Sequence, residues 1–165
     1  MEIILPDDDA KLYSRLHVSS LDLDFAQYCA GVILRKGWHY QPWEKRGTIY
    51  LQQSAFMSAL VTAYARPFKK SSSGLPNLPP ELKEFSSEED AFHERMIQLR
   101  DKVYAHSDSK SYSVRPWRTG TFSTDIVGAP ELCINAKEAA LLKQMVNKLQ
   151  LAIRRRMSRI VSVEH

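Results

Sequence analysis

The sequence predicts a mainly α-helical protein, a bundle of four to five helices with a small β-hairpin, in a single domain that spans residues 1–165. Three observations predict this class. Apolar residues recur at every third or fourth position in several long segments, which is the period of an amphipathic helix. The stretch "TGTFSTDIV" alternates apolar and polar residues instead, which is the period of a strand. A chain of 165 residues with 44% hydrophobic and 25% charged residues has the size and composition of one globular domain.

The first helix is expected to run through "LDLDFAQYCAGVILRKG". Ser20 or Asp22 could cap its start, and Gly37 is a plausible end because glycine adopts the left-handed backbone that ends many helices. Residues that recur at helical spacing predict the apolar stripe of this helix: Leu21, Phe25, Tyr28, Cys29 and Val32.

A second helix is expected over residues 49–66, and Pro67 should end it because proline cannot continue a helical hydrogen-bond ladder. The following "PFKKSSSGLPNLPPELKEF" is rich in serine, glycine and proline and has no period. This linker-like stretch is long for a compact domain, so it is either mobile or functional.

A third helix should begin near "SSEED", where Ser86 or Ser87 can cap it and three acidic residues suit the positive end of the helix dipole. We expect this helix to run to about His106. The segments "TGTFSTDIV" and "ELCIN" then predict two short strands of a hairpin. The last helix is expected over residues 136–160, with an apolar stripe formed by Leu141, Met145, Leu149 and Ile153.

Net charge indicates a class of partner, and the sequence motifs exclude several classes of protein. The net charge of +4 leans mildly toward anionic partners such as nucleic acid. The N-terminus lacks the pattern of a secretory signal, and the apolar run "AFMSALVTAYA" is shorter than the roughly 20 residues that cross a bilayer. The two cysteines form no CxxC pair, which favours a reduced, cytoplasmic protein. No HExxH, P-loop or GxGxxG motif is present, so we expect no metal and no cofactor.

The end of the third helix carries an arginine and a histidine in "IQLRDKVYAHSD". Arg100 lies beside the apolar stripe and has no acidic residue three or four positions away, so it needs an anion from elsewhere or a route to water. His106 is expected at the helix end, where the dipole favours a cation. The residues alone leave ordinary roles open, because an arginine can extend its guanidinium to solvent and a histidine often caps a helix.

The segment "LRDKVYAHSD" resembles the signature of the HEPN superfamily, in which a polar residue follows an arginine and a histidine comes four to six positions further on. Here these residues are Arg100, Asp101 and His106, with five residues between the arginine and the histidine. The resemblance covers about ten residues, and the predicted helical bundle is similar to that family's plan.

The resemblance implies a HEPN-like bundle and a metal-independent endoribonuclease that works as a homodimer, with two signatures facing each other across a two-fold axis. It also implies a toxin–antitoxin or phage-defence setting, with an antitoxin or another defence protein as a partner. In this chemistry the RNA 2′-hydroxyl attacks the adjacent phosphate, leaving a 2′,3′-cyclic phosphate and a 5′-hydroxyl. His106 is the candidate acid–base and Arg100 the candidate phosphate clamp. Asp101 could orient a neighbouring side chain or be only a surface acid.

RNA-binding candidates lie on both sides of the signature. Tyr104, His93 and Lys102 are near it, and Arg154 and Arg155 belong to the basic "AIRRRMSRI" at the C-terminus. Each has an ordinary alternative. Tyr104 could pack at the bundle edge, and it precedes His106 by two, whereas the modified tyrosine of some relatives follows the histidine by two. The acidic residues one turn before His93 predict a local ion pair, and the arginines could form a solvated helix face.

Two other functions compete with the ribonuclease. The first is a catalytically inactive HEPN-like module that binds RNA, a nucleotide or a protein partner. The second is a structural protein whose basic last helix docks on an acidic partner.

Overall fold

In the computed structural model the described residues are 3–40, 47–70, 74–101, 113–128 and 134–162, and they form four α-helices and one two-stranded antiparallel sheet. The helices are α1 (Asp7–Lys36), α2 (Thr48–Ala65), α3 (Ser87–Leu99) and α4 (Ala136–Ser162). Short 3-10 turns at Arg66–Phe68 and Pro80–Leu82 follow α2 and precede α3. The prediction of a mainly helical protein with a small hairpin is confirmed.

The core forms where α1 packs against both α2 and α4, while α3 packs on α2. Its side chains are apolar and come from all four helices, and burying each large one contributes roughly 1.5–3 kcal/mol. The largest fully buried ones include Leu16, Leu23, Ile33, Leu60, Tyr64, Met96, Leu142, Leu149 and Ile153.

The start of α1 differs from the prediction. The helix begins after Pro6, with three aspartates in its first turn, so Ser20 and Asp22 lie inside it and cap nothing. Negative charge at the positive end of the helix dipole stabilises this earlier start. The predicted end is confirmed, because Gly37 follows the helix with φ of 62°, in the left-handed region.

Of the five residues in the apolar stripe predicted for α1, Cys29 and Val32 are buried as predicted, and the other three are exposed. Leu21, Phe25 and Tyr28 are 56%, 49% and 59% exposed, whereas Leu16, Leu23 and Ile33 are fully buried. Helical spacing identifies an apolar face but cannot say which of two such faces meets the core. α1 has both, and the more aromatic one faces outward.

α3 begins as predicted. The Ser86 hydroxyl accepts a hydrogen bond from the Glu89 backbone N–H, and the Glu89 carboxylate accepts one from the Ser86 N–H at 2.8 Å. This reciprocal capping box satisfies two backbone donors at the helix start. Lys148 on α4 also donates to both Glu89 oxygens, at 2.7 and 2.9 Å, so the cap ties α3 to α4.

The hairpin is displaced from its predicted position. Its strands are β1 (Ser113–Arg118) and β2 (Ser123–Gly128), whereas the sequence suggested residues 119–127 and 131–135. Residues 119–122, "TGTF", connect the two strands instead. The Thr119 N–H donates to the Phe122 carbonyl at 2.8 Å. Residues 131–133 lie outside the described part of the chain. Asn135 caps α4, because its side-chain oxygen accepts from the Glu138 N–H at 2.9 Å.

No helix within the described ranges is both long and apolar enough to cross a membrane.

Candidate functional site

The predicted site begins where α3 ends. After Leu99 the chain continues in a wide, π-helical turn at Arg100 and Asp101. The Arg100 N–H donates to the carbonyls of both Met96 and Ile97. Such wide turns are often found at functional sites.

Arg100, Asp101 and Lys69 form one ionic group, here named the Asp101 cluster. Arg100 Nη1 donates to Asp101 Oδ1 at 2.9 Å, and Lys69 Nζ donates to Asp101 Oδ2 at 2.5 Å. The sequence offered Arg100 no carboxylate three or four positions away, and its partner in the structure is the next residue. One carboxylate therefore serves two cations, and one positive charge remains uncompensated within the cluster.

The Asp101 cluster is open to solvent. The side chains of Lys69, Arg100 and Asp101 are 32%, 34% and 42% exposed. A partly exposed guanidinium beside an ammonium presents hydrogen-bond donors and excess positive charge to the same region, which is the arrangement that binds phosphate oxygens.

The Asp101 carboxylate stays ionised at neutral pH. The hydrogen bond from Lys69 is the largest cause that lowers its pKa, and the hydrogen bond from Arg100 lowers it further. An ionised carboxylate that already accepts from two cations is poorly suited to give or take a proton near pH 7. Of the two roles predicted for Asp101, the geometry favours orienting Arg100.

A buried arginine holds the chain segment that carries Lys69. Arg15 of α1 is 6% exposed, and its Nη2 donates to the carbonyls of Pro67 at 2.7 Å and Lys69 at 2.8 Å. Burial lowers the pKa of Arg15, and the nearby Asp22 charge partly offsets this. Carbonyls at the end of a helix carry partial negative charge, so they stabilise the guanidinium. Arg15 thus fixes the backbone from which Lys69 reaches Asp101.

His93 lies two helical turns before Arg100, but it is buried. It is 3% exposed, and its ring packs against Phe68 with a centroid distance of 4.4 Å. Its Nδ1 lies 3.0 Å from the hydroxyl of the buried Tyr64. The predicted local ion pair with Glu89 and Asp90 is wrong. Glu89 binds Lys148 and the Ser86 backbone instead, and the carboxylate within 4.0 Å of the His93 ring is that of Glu94.

The His93 ring is neutral at pH 7. Burial is the main cause that lowers its pKa to about 4, and the positive charge of Lys83 lowers it further. The Tyr64 hydroxyl is also neutral, because burial raises its pKa. We assign the Tyr64 hydroxyl as donor to Nδ1, which places the ring proton on Nε2. The Nε2 atom lies 4.0 Å from the Glu94 carboxylate, beyond hydrogen-bonding distance.

Arg154 and Arg155 are exposed on α4, and the structure does not bring them to Arg100. α3 and α4 run antiparallel, since Glu89 pairs with Lys148 and Arg95 pairs with Glu138. Arg100 is near one end of this pair of helices, and Arg154 and Arg155 lie beyond its other end. At about 1.5 Å rise per residue, the offset along the helices is roughly 25 Å. Any RNA contact by both regions requires an extended strand or a second copy.

The remaining predicted site residues, Lys102, Tyr104 and His106, lie outside the described residues.

Sequence reasoning missed two side chains that shape this region. Lys69 falls in the linker-like stretch, and the cation pair "KK" was the only local signal for it. Tyr64 lies within the predicted second helix, and nothing in the local sequence indicates its hydrogen bond to His93. Both contacts join residues about 30 positions apart, and such pairing depends on the fold.

Comparisons with protein-family models, with curated proteins and with solved structures find no match for this chain.

Proposed function

We propose that this chain is a HEPN-type, metal-independent endoribonuclease that acts as a homodimer, in a toxin–antitoxin or phage-defence setting. The observation that carries the proposal is the Asp101 cluster, because it holds Arg100 of the HEPN-like signature partly exposed, oriented and in positive excess. The signature itself remains the source of the family assignment.

In the proposed reaction Arg100 binds the non-bridging oxygens of the scissile phosphate. The guanidinium offers a planar fork that matches them, and it stabilises the extra negative charge of the phosphorane. Asp101 positions this fork from behind through Oδ1, and Lys69 supplies a second positive charge. The RNA 2′-oxygen forms a bond to phosphorus while the bond to the 5′-oxygen breaks.

His106 is the proposed acid–base residue. One imidazole takes the proton of the 2′-hydroxyl, and another gives a proton to the leaving 5′-oxygen. One histidine cannot readily do both at the same moment. A second copy of the chain supplies the other histidine, which is why the proposal includes a homodimer.

The described surface that best suits a second copy is the exposed apolar face of α1, here named the α1 stripe. It consists of Val18, Leu21, Phe25 and Tyr28, which are 44%, 56%, 49% and 59% exposed. These spacings of three, four and three residues put all four on one helix face. Together they expose on the order of 400 Å² of apolar surface, a patch size that is often functional on a monomer.

The α1 stripe is complementary to itself. Its spacing is symmetric about residue 23, so two antiparallel copies of α1 related by a two-fold axis place Val18 beside Tyr28 and Leu21 beside Phe25. Each pair joins a smaller side chain to a larger one, which favours close packing. The stripe supplies about half of the roughly 800 Å² per partner of a standard interface, so we expect dissociation on the order of micromolar.

The same pairing places both Asp101 clusters on one side of the dimer. A two-fold axis perpendicular to antiparallel helices keeps the same flank of each helix on the same side. On that flank Asp22 accepts a hydrogen bond from Arg66 at 3.1 Å, and Arg66 opens the short turn that leads to Lys69. This arrangement favours a shared cleft.

The test of the reaction uses a mixed RNA pool in excess EDTA, with wild type beside His106→Ala and identification of the new ends. We expect wild type alone to leave 2′,3′-cyclic phosphate and 5′-hydroxyl ends. Cleavage by both proteins at the same rate would contradict the assignment of His106. Products with 5′-phosphate ends would contradict the 2′-hydroxyl mechanism itself.

Analytical ultracentrifugation tests the dimer. Leu21→Glu combined with Phe25→Glu should give a monomer at concentrations where wild type is dimeric. Lys36→Glu, an exposed charge change at the end of the same helix, is the matched control and should remain dimeric. A wild type that is still monomeric at about 100 μM would contradict the proposed interface.

The second candidate function is a catalytically inactive module that binds RNA or a nucleotide. The cavity beside His93 favours it, because that cavity offers a small-molecule site whether or not the cluster cleaves RNA. RNA binding without cleavage by wild type would move the conclusion to this alternative.

A further inference from the structure

A cavity of about 330 Å³ is lined by His93 and by residues that lie close in sequence to the Asp101 cluster. Its lining includes Phe68, which precedes Lys69, and Ile97, which lies one helical turn before Arg100. The cavity volume is at the lower end of the range for small-molecule sites in proteins, which is about 300–1,000 Å³.

Half of the ten residues that line this cavity are apolar. They are Phe68, Leu78, Pro79, Pro80 and Ile97. Phe68 is held in place by ring contacts with Tyr64 at 5.4 Å and His93 at 4.4 Å. A fixed aromatic ring at the wall of an open cavity is the kind of surface on which a nucleobase stacks. An inorganic phosphate has no ring to stack on Phe68, so it can use only the cationic groups of the cavity.

The other five lining residues are polar or charged: Lys70, Asn77, Lys83, His93 and Glu94. The His93 Nε2–H and the Glu94 carboxylate lie 4.0 Å apart, and they offer one donor and one acceptor to a ligand in this cavity. Lys70 and Lys83 supply positive charge at the rim, where a phosphate would lie. Because burial holds the pKa of His93 at about 4, the ring remains a neutral donor at pH 7 and adds no charge of its own.

We propose that this cavity binds one nucleotide of single-stranded RNA, with the base against Phe68 and the His93–Glu94 edge and a phosphate at Lys70 and Lys83. The inference rests on the proposed function in its choice of RNA as the substrate. It assigns the cavity as the subsite that holds the nucleotide next to the phosphate bound by Arg100. His93 then contacts the base and takes no part in the proton transfers.

The test is a titration of the full chain with four ribonucleoside 5′-monophosphates, beside ribose 5-phosphate and inorganic phosphate, followed by amide chemical shifts. We expect at least one nucleotide to bind about tenfold more tightly than ribose 5-phosphate, since stacking accounts for that difference or more. The largest shifts should map to Phe68, His93 and Ile97. Equal binding of nucleotide and ribose 5-phosphate would overturn the base site.

Two variants separate the parts of the site. Phe68→Leu keeps apolar volume but removes the aromatic face, and it should weaken nucleotide binding about tenfold while leaving phosphate binding unchanged. Lys83→Gln should weaken both, and it stands as an independent test if Phe68→Leu proves unstable. Lys36→Gln is the matched control and should bind as wild type does. A Lys83→Gln variant with unchanged affinity would overturn the placement of the phosphate.

These results are distinguishable from a failure of the proposed function. A wild type that binds nucleotides at the cavity but leaves RNA intact would support the subsite and contradict the ribonuclease. A wild type that cleaves RNA but binds no nucleotide, with Phe68→Leu cleaving at the same rate, would overturn the subsite and leave the ribonuclease standing.

Discussion

Both ends of α3 place a carboxylate against a lysine from another segment, and the two pairs differ in exposure and in balance. At the start, Glu89 is 4% exposed and binds Lys148 with both oxygens. At the end, the Asp101 side chain is 42% exposed and divides its oxygens between Lys69 and Arg100. The first pair is balanced in charge and also caps the helix.

This difference indicates which end holds the fold and which end is available to a ligand. A buried, fully bonded carboxylate strongly destabilises the protein when its partner is lost, whereas exposed ion pairs contribute little. The C-terminal end of α3 can therefore carry uncompensated positive charge with little loss of stability. It depends instead on Arg15, which fixes the backbone beneath it.

The largest expected effect on stability comes from Arg15→Met. It leaves the carbonyls of Pro67 and Lys69 without their buried donor, and such bonds to a charged group are each worth roughly 1.5–3 kcal/mol. We expect the free energy of unfolding in urea to fall by about 3 kcal/mol. Arg35→Met, at an exposed position on the same helix, is the control and should change it by less than about 0.5 kcal/mol. Similar losses for the two variants would show that the Arg15 contacts are not special.

The closed end of α3 is tested with Glu89→Gln. The amide loses the charge-assisted bonds to Lys148, and we expect a loss of about 2 kcal/mol in the free energy of unfolding. Glu88→Gln, the exposed neighbour in the same helical turn, should lose no more than about 0.5 kcal/mol from its interaction with the helix dipole. Equal effects at both positions would remove the contrast between buried and exposed carboxylates.

Acid should destabilise the protein through His93. Its pKa is about 4 in the folded chain against an ordinary 6.5, so between these values the unfolded chain binds a proton that the folded chain does not. Stability is therefore full above pH 6.5 and falls as the pH drops toward 4, by about 1.5 kcal/mol between pH 6.5 and 5.

The titration of Glu89 and Asp101 does not interfere with the measurement of stability between pH 6.5 and 5. Glu89 and Asp101 have pKa values lowered from 4.5 and 3.8, so the stability they contribute is present above those values and is lost only below them. His93→Gln, whose amide can still accept from Tyr64, should remove most of the change between pH 6.5 and 5. Urea unfolding at the two pH values provides the comparison, and an undiminished change in the variant would assign it to other groups.

The smallest expected effect on stability belongs to Asp101→Asn. Its exposed ion pairs should contribute less than about 1 kcal/mol to the free energy of unfolding. Removing the carboxylate leaves the positive charge of the cluster higher and Arg100 less well oriented. RNA binding should therefore tighten, which lowers KM. The rate of RNA cleavage within the bound complex should fall about tenfold, which lowers kcat. A variant with lower KM and unchanged kcat would show that Asp101 is only a surface acid and does not orient Arg100 for catalysis.

The sequence predicts the helices of this protein better than their surroundings. The Ser86 cap, the glycine at 37 and the period of α4 are local signals, and the structure agrees with them. The hairpin was displaced because a Thr-Gly turn resembles the start of a strand in an alternating stretch. Leu21, Phe25 and Tyr28 were assigned to the core, although they are exposed, because periodicity does not reveal which face is covered.

The candidate site is predictable only in part for the same physical reason. Arg100 and Asp101 were found because a signature is local in sequence. Lys69, Arg15 and Tyr64 join the region through contacts across the fold, and no local pattern encodes a partner that lies 29 or more positions away.

The most direct test of the central claim is the rate of RNA cleavage by Arg100→Ala, measured in EDTA beside Arg95→Ala. The two arginines lie on the same helix and each binds one carboxylate, but Arg95 pairs with Glu138 at the opposite side of α3. If Arg100 holds the scissile phosphate, its removal should slow cleavage at least about 100-fold, while Arg95→Ala cleaves at nearly the wild-type rate. Equal rates for Arg100→Ala and wild type would contradict the account.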